Sequence, residues 1–136
     1  MSITYAISSG ERLIRVYASG IIRADDLHGL LDTLLDDEAL TPGLRGLYDS
    51  RFAEPDITIL QLAEVAGKAT RVVARGVDRI AIVGTSPTTI RVARTFAVLA
   101  RALGIDVEVF TELSDAELWL GEQKGDGTPG QKLLRP

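Results

Sequence analysis

The run Arg79-Ile80-Ala81-Ile82-Val83, bounded by Asp78 and Gly84, most narrowly limits what this chain can fold into. Its continuous apolar character fits a strand buried on both faces, which is the habit of parallel sheets. The residues after it supply the crossover that a parallel neighbour requires. Thr85-Ser86-Pro87-Thr88 leads into a helical stretch that runs to Leu103, with Pro87 just inside its start and Gly104 just past its end. Asp106-Val107-Glu108-Val109-Phe110 then alternates as a further strand. The second half of the chain therefore reads as a β-α-β unit.

The same alternation extends in both directions. Ile3 to Ile7 and Leu13 to Ala18 are extended runs joined by the turn residues Ser8-Ser9-Gly10-Glu11, a hairpin that Gly20 is expected to close. Asp25 and Asp26 favour a helix N-terminus, and Leu27, Leu30, Leu31, Leu34 and Leu35 recur at helical spacing. Thr41-Pro42-Gly43 ends that helix, and Leu44 to Asp49 reads as a short central strand. Thr58 and Gln61 are spaced as a capping box at the head of the next helix. On a helical wheel its polar residues Gln61, Glu64, Lys68, Arg71 and Arg75 fill an arc of only about 80°. The rest is apolar or small, Val65 and Val72 included, so something beyond the sheet should cover it. Ser114 and Glu117 form a second expected box, opening a short helix through Leu120.

The order is β-β-α-β-α-β-α-β-α: an α/β fold with a mostly parallel mixed sheet and an antiparallel N-terminal hairpin. One domain over residues 1–120 is expected, followed by a Gly- and Pro-rich flexible tail at 121–136. At 136 residues the chain is long enough for one real core. A net charge of −4 argues against a nucleic-acid binder. The absence of cysteine removes disulfides and thiolate chemistry, and fits a cytoplasmic protein. No apolar run has the length of a membrane span, and the N-terminus lacks the pattern of a signal peptide.

Motifs that carry chemistry are scarce. There is no phosphate-binding loop, dinucleotide fingerprint or metal-binding histidine pair, so no cofactor, metal or catalytic residue is assigned. Gly84 to Thr88 approaches a nucleophile elbow but has Thr88 where a glycine is needed. His28, the one histidine, falls at the border of the leucine stripe. The stronger pointer is positional, since open α/β sheets bind ligands beyond the carboxyl ends of their parallel strands. Those ends are expected to present Asp49, Ser50 and Arg51 on one side and Thr85, Ser86 and Thr88 on the other. Free N–H groups at the second segment could hold a small anion, while Ser86 equally suits an ordinary helix cap. Arg91 and Arg94 gather with Val98 on the outer side of the long helix. With Val65 and Val72 they form the expected interface, for a second copy of this chain or another protein, unless this helix and the one from Thr58 to Arg75 cover each other on one face of the sheet.

In order and spacing, residues 3 to about 121 resemble the small bacterial SpoIIAA-like proteins. These are grouped with STAS domains and, more loosely, with Sec14 (CRAL-TRIO) domains. The resemblance rests on Ile3-Thr4-Tyr5 with Leu13-Ile14-Arg15-Val16, on Asp25-Asp26-Leu27, and on the strand ending at Asp49. It continues through Arg79 to Val83 and from Val107-Glu108-Val109-Phe110 to Ala116-Glu117-Leu118-Trp119-Leu120. It implies a four-helix mixed-sheet domain with a regulatory or protein-interaction role. In some such relatives a serine near the end of the central strand is phosphorylated, the region where Ser50 stands here. Sec14-type relatives carry lipids in a pocket. Three classes of function follow: an interaction module, a small-molecule or lipid-binding module with its ligand at the strand ends, and an enzyme using Asp49, Ser86 and His28.

Overall fold

The computed structural model describes residues 2–122. The expected tail at 121–136 falls outside them, apart from Gly121 and Glu122. The elements are β1 (Ser2–Ser8), β2 (Leu13–Arg23), α1 (Ala24–Leu35), β3 (Leu44–Asp56), α2 (Ile59–Ala74), β4 (Val77–Val83), α3 (Pro87–Ala102), β5 (Val107–Phe110) and α4 (Leu113–Gly121). They follow the order expected from the sequence. No helix among the described residues is long and apolar enough to cross a membrane.

The strands form one sheet in chain order, β1-β2-β3-β4-β5, with β1 antiparallel to β2 and the other pairs parallel. Crossovers of one hand that always step the same way along a sheet leave their helices on one face. Accordingly α1, α2 and α3 lie side by side over Ile14, Val16, Ile82 and Val107, and share the largest core cluster. Alternate strand residues point the other way, where α4 packs Ala116 and Leu120 on Leu47, Ala81 and Val83.

This layering explains the breadth of α2's apolar surface. The helix is the middle member of its layer, with α1 on one flank, α3 on the other and the sheet beneath. Val65 and Val72 point inward and are buried, so these two belong to the core and are not interface residues. The polar arc closes the seam with α1. Lys68 Nζ lies 2.8 Å from Asp32, and Arg75 donates to the Leu35 carbonyl at 2.9 Å. The expected capping box is formed: the Gln61 N–H donates to Thr58 Oγ1 at 3.2 Å, and the Thr58 N–H to Gln61 Oε1 at 2.9 Å.

Three boundaries differ from the sequence reading. β3 runs to Asp56 and β2 to Arg23, well past Asp49 and Ala18, because the two pair with each other from Ser19↔Phe52 to Arg23↔Asp56. β4 stops at Val83, opposite Asp49, so the extra length is a two-stranded ribbon standing clear of the sheet. Pro55 is tolerated there because β3 then has a neighbour on one side only. Gly20 does not close the hairpin; it lies inside β2 with a φ of 72°. Finally, α4 begins at Leu113 with Glu112 in the capping position, and no Ser114–Glu117 box forms. Glu117 reaches across to Arg15 at 3.3 Å instead.

The carboxyl end of α4 is held from the sheet. Arg79 donates to the Trp119 carbonyl at 2.9 Å, and its guanidinium carbon lies 4.3 Å from the centre of the Trp119 ring. Its Nε sits 3.2 Å from Asp106, an ion pair whose angle makes no hydrogen bond. Arg45 donates to the Leu120 and Glu122 carbonyls. Cations thus meet the unpaired carbonyls and negative pole of a helix end.

Candidate functional site

The residues expected at the strand ends divide between the two faces of the sheet. Asp49 pairs in register with Tyr17 and Val83, and so faces the α4 side. There Arg51 grips it, Nε at 2.9 Å and Nη2 at 2.8 Å, with the Arg51 N–H at 3.2 Å. These bonds hold the buried Asp49 carboxyl below its usual range, against the opposing effect of burial. Asp49 and Arg51 therefore satisfy one another.

Ser50 looks toward the helical layer. Its hydroxyl is buried and donates to the Val83 carbonyl at 2.7 Å. Close by, Ser86 caps α3 by accepting from the Thr89 N–H at 3.1 Å. The Ser86 hydroxyl donates to Thr89 Oγ1 at 2.8 Å, and Thr89 passes its own hydrogen to the Ala53 carbonyl at 3.1 Å. The start of α3 is thereby tied to the ribbon. Gly84 lies between these hydroxyls because a Cβ there would stand 2.9 Å from Thr89 Cγ2 and 3.6 Å from Ser50 Oγ. Thr85, Ser86 and Thr88 are exposed. His28, on α1, makes no hydrogen bond to either serine. Among the described residues no group of three or more His, Asp or Glu could hold a metal.

Ser50 and Thr89 border a feature that the sequence reading did not place. Between the helical layer and the sheet lies a half-enclosed cavity of about 160 Å³. Its floor is Ile14, Val16, Gly46, Tyr48, Ile80 and Ile82, and its roof Leu62, Val65, Ala69 and Val72 of α2. Leu27, Leu30, Leu31 and Leu34 of α1 wall one side; Val92, Ala93 and Phe96 of α3 wall the other. The lining runs from Pro55, near the carboxyl end of β3, and Ile57 just beyond it, to Val77 at the start of β4. Gly46 leaves room in the floor: a Cβ there would meet nothing closer than Ile80 Cγ1 at 3.7 Å. A lone glycine in a strand pattern was the available signal. Tyr48 lines the same cavity with no hydrogen-bond partner for its hydroxyl among the described residues. Burial, and behind it the charge of Asp26, push its pKa well above the ordinary tyrosine value.

Two further surfaces lie outside the core. Arg91, Arg94 and Val98 do lie together on the outside of α3, beside Ile90 and Thr95 in a shallow depression. On the sheet's other face α4 covers β3 to β5 but not the ribbon, leaving Tyr17 50% and Phe52 74% exposed, with Ile21 beside them. Arg51 lies 5.7 Å from the centre of the Phe52 ring.

A sheet wound in chain order, with three helices roofing an apolar cavity and a fourth helix behind, defines a small α/β domain of the STAS type. The SpoIIAA-like family profile matches residues 13–121, and the chain belongs to that family. Its fold is similar to that of an uncharacterized protein with a SpoIIAA-like fold from Shewanella loihica PV-4. The TM-score is 0.56 at 20% identity, covering 88% of this chain and 92% of the other. No curated protein matches.

Proposed function

We propose that this SpoIIAA-like domain is a cytoplasmic binding module for a small apolar molecule, held in the cavity between its helical layer and its sheet. The cavity carries the reading. Tightly packed interiors keep few voids larger than a water molecule, and apolar cavities of about 150 Å³ take up benzene-sized guests. The lining holds no charged side chain, and its upper rim, at Ile57 and Thr89, lies where open α/β sheets receive ligands. Ethylbenzene is the direct probe. Followed by methyl NMR, it should shift the signals of Leu62, Val65 and Ile82 in a saturable way. Shifts confined to the outer surface, or none up to the solubility limit, would overturn the reading.

A second reading, a protein-interaction module that pairs with another copy of itself, is favoured by the uncovered face around Tyr17, Ile21 and Phe52. An exposed aromatic cluster of this kind is a common interface anchor.

A further inference from the structure

We infer that β1 is a docking edge for a second copy of this chain, the two strands pairing antiparallel about a two-fold axis at Tyr5. This contact is distinct from the cavity and from the exposed cluster of Tyr17, Ile21 and Phe52. β1 ends the sheet and pairs with β2 along its whole length, from Ser2↔Ser19 to Ser8↔Leu13, without a register shift. No other element among the described residues packs broadly against it. A strand so placed presents a row of unpaired N–H and C=O groups, which proteins usually blunt with charge, proline, a bulge or a covering group. The other free edges of this sheet are blunted in that way. β5 is only four residues long, and Arg101 donates to its Val107 carbonyl at 3.0 Å and to Glu108 at 2.8 Å. The ribbon carries Arg51, Glu54, Pro55 and Asp56 in β3, and Thr89 takes the Ala53 carbonyl at 3.1 Å. β1 has none of these devices: Ser2-Ile3-Thr4-Tyr5-Ala6-Ile7-Ser8 holds neither charge nor proline. Asp37 accepts from the Tyr5 hydroxyl at 2.7 Å and makes no bond to the backbone of the strand.

The order of residues in β1 identifies the partner. It reads nearly the same in both directions: with Tyr5 at the centre, Ile3 falls opposite Ile7, Ser2 opposite Ser8 and Thr4 opposite Ala6. Antiparallel strands set directly opposed side chains on the same face. Ile3, Tyr5 and Ile7 pair with Ala18, Val16 and Ile14 of β2 and pack on the core of the helical face, where they stay only half-buried. A second copy in this register covers them with the same three residues and sets small uncharged groups together on the far face. The two sheets become one, with both helical layers on the same side and roughly six to eight hydrogen bonds across the join. A foreign strand would have to match this pattern independently, whereas a second copy matches it by symmetry.

The test is sedimentation equilibrium on the whole chain, which should show a dimer. Thr4→Glu/Ala6→Glu sets like charges directly opposite one another across the join and should weaken that dimer about 10-fold or more. Both positions are exposed, and Ala6 pairs with Arg15 of β2, so the fold should hold by circular dichroism. A native monomer across a wide concentration range would overturn the inference. So would a dimer that Phe52→Ser dissolves and Thr4→Glu/Ala6→Glu does not, because the contact would then lie on the other surface. Cross-linking tests the register even if the charged variant fails to fold. The native chain has no cysteine, so single thiols can be placed cleanly. Under mild oxidation a mixture of Thr4→Cys and Ala6→Cys should cross-link faster than either variant alone. In the proposed register these two positions face each other, while each meets its own copy only diagonally, roughly 7–8 Å away and beyond the ordinary reach of a disulfide. Equal rates in the mixture and in the single variants would overturn the pairing about Tyr5.

Discussion

Gly46→Ala should make this protein more stable, although the position lies inside a central strand of the core. Gly46 sits in β3 between β2 and β4, where it pairs with Ile14 and Ile80. A methyl group there meets only Ile80 Cγ1, at an ordinary contact distance of 3.7 Å, and projects into the cavity. Restricting the unfolded chain contributes about 0.4–1 kcal/mol where alanine suits the backbone, and burying one methyl adds up to about 0.8 kcal/mol. The sum is a gain of about 0.4–1.8 kcal/mol, or roughly 2–7 °C in melting temperature for a domain of this size. Gly84→Ala makes the same chemical change 2.9 Å from Thr89 Cγ2. Thr89 cannot swing aside without breaking its bonds to Ala53 and Ser86. Overpacking at about 1–3 kcal/mol should outweigh the entropy gain and destabilise this second variant. Urea unfolding with an unchanged m-value measures both. A loss of stability in Gly46→Ala, or the same sign in both variants, would refute the argument from space.

Much of this fold was legible because its signals are local. The buried β4 run, the Thr58–Gln61 box and the Pro87 and Gly104 punctuation each act within a few residues of chain, and the structure forms each as the sequence reads. What misled was non-local. Arg51 to Asp56 carries three charges and a proline and resembles a loop, yet it is a strand because β2 runs alongside. The width of α2's apolar surface calls for cover, but periodicity cannot say whether that cover is a partner or the chain's own helices. The consequences for the site were direct. Placing Asp49, Ser50 and Arg51 at a strand end hid the fact that strand alternation sends Asp49 and Ser50 to opposite faces. Tyr48 and Gly46 drew no notice, since a cavity is made of what several elements fail to fill and leaves only a strand glycine as its local trace.

Two further outcomes are expected. If the uncovered sheet face pairs two copies of the chain, sedimentation should show a dimer that Phe52→Ser shifts to monomer at unchanged secondary structure; a native monomer at all concentrations rules this out. The last prediction concerns acid. Asp49 has a folded pKa below its ordinary value, set first by the hydrogen bonds from the Arg51 guanidinium. A depressed carboxyl contributes stability that is present above its unfolded pKa of about 3.9 and is lost as pH falls through the folded value. Asp49→Asn removes that contribution and leaves Arg51 without its bidentate partner, although Arg51 is one-third exposed and water recovers part of the loss. The variant should therefore be less stable by about 1–3 kcal/mol at pH 7. Its deficit should shrink as the pH falls below about 4, where Asp49 of the unfolded chain takes up a proton that the folded carboxyl, held lower by Arg51, does not yet bind. Urea midpoints for the two proteins measured from pH 7 down to acid give the difference directly. A deficit that stays constant over that window would mean the Asp49–Arg51 pair contributes through its shape and not its charge.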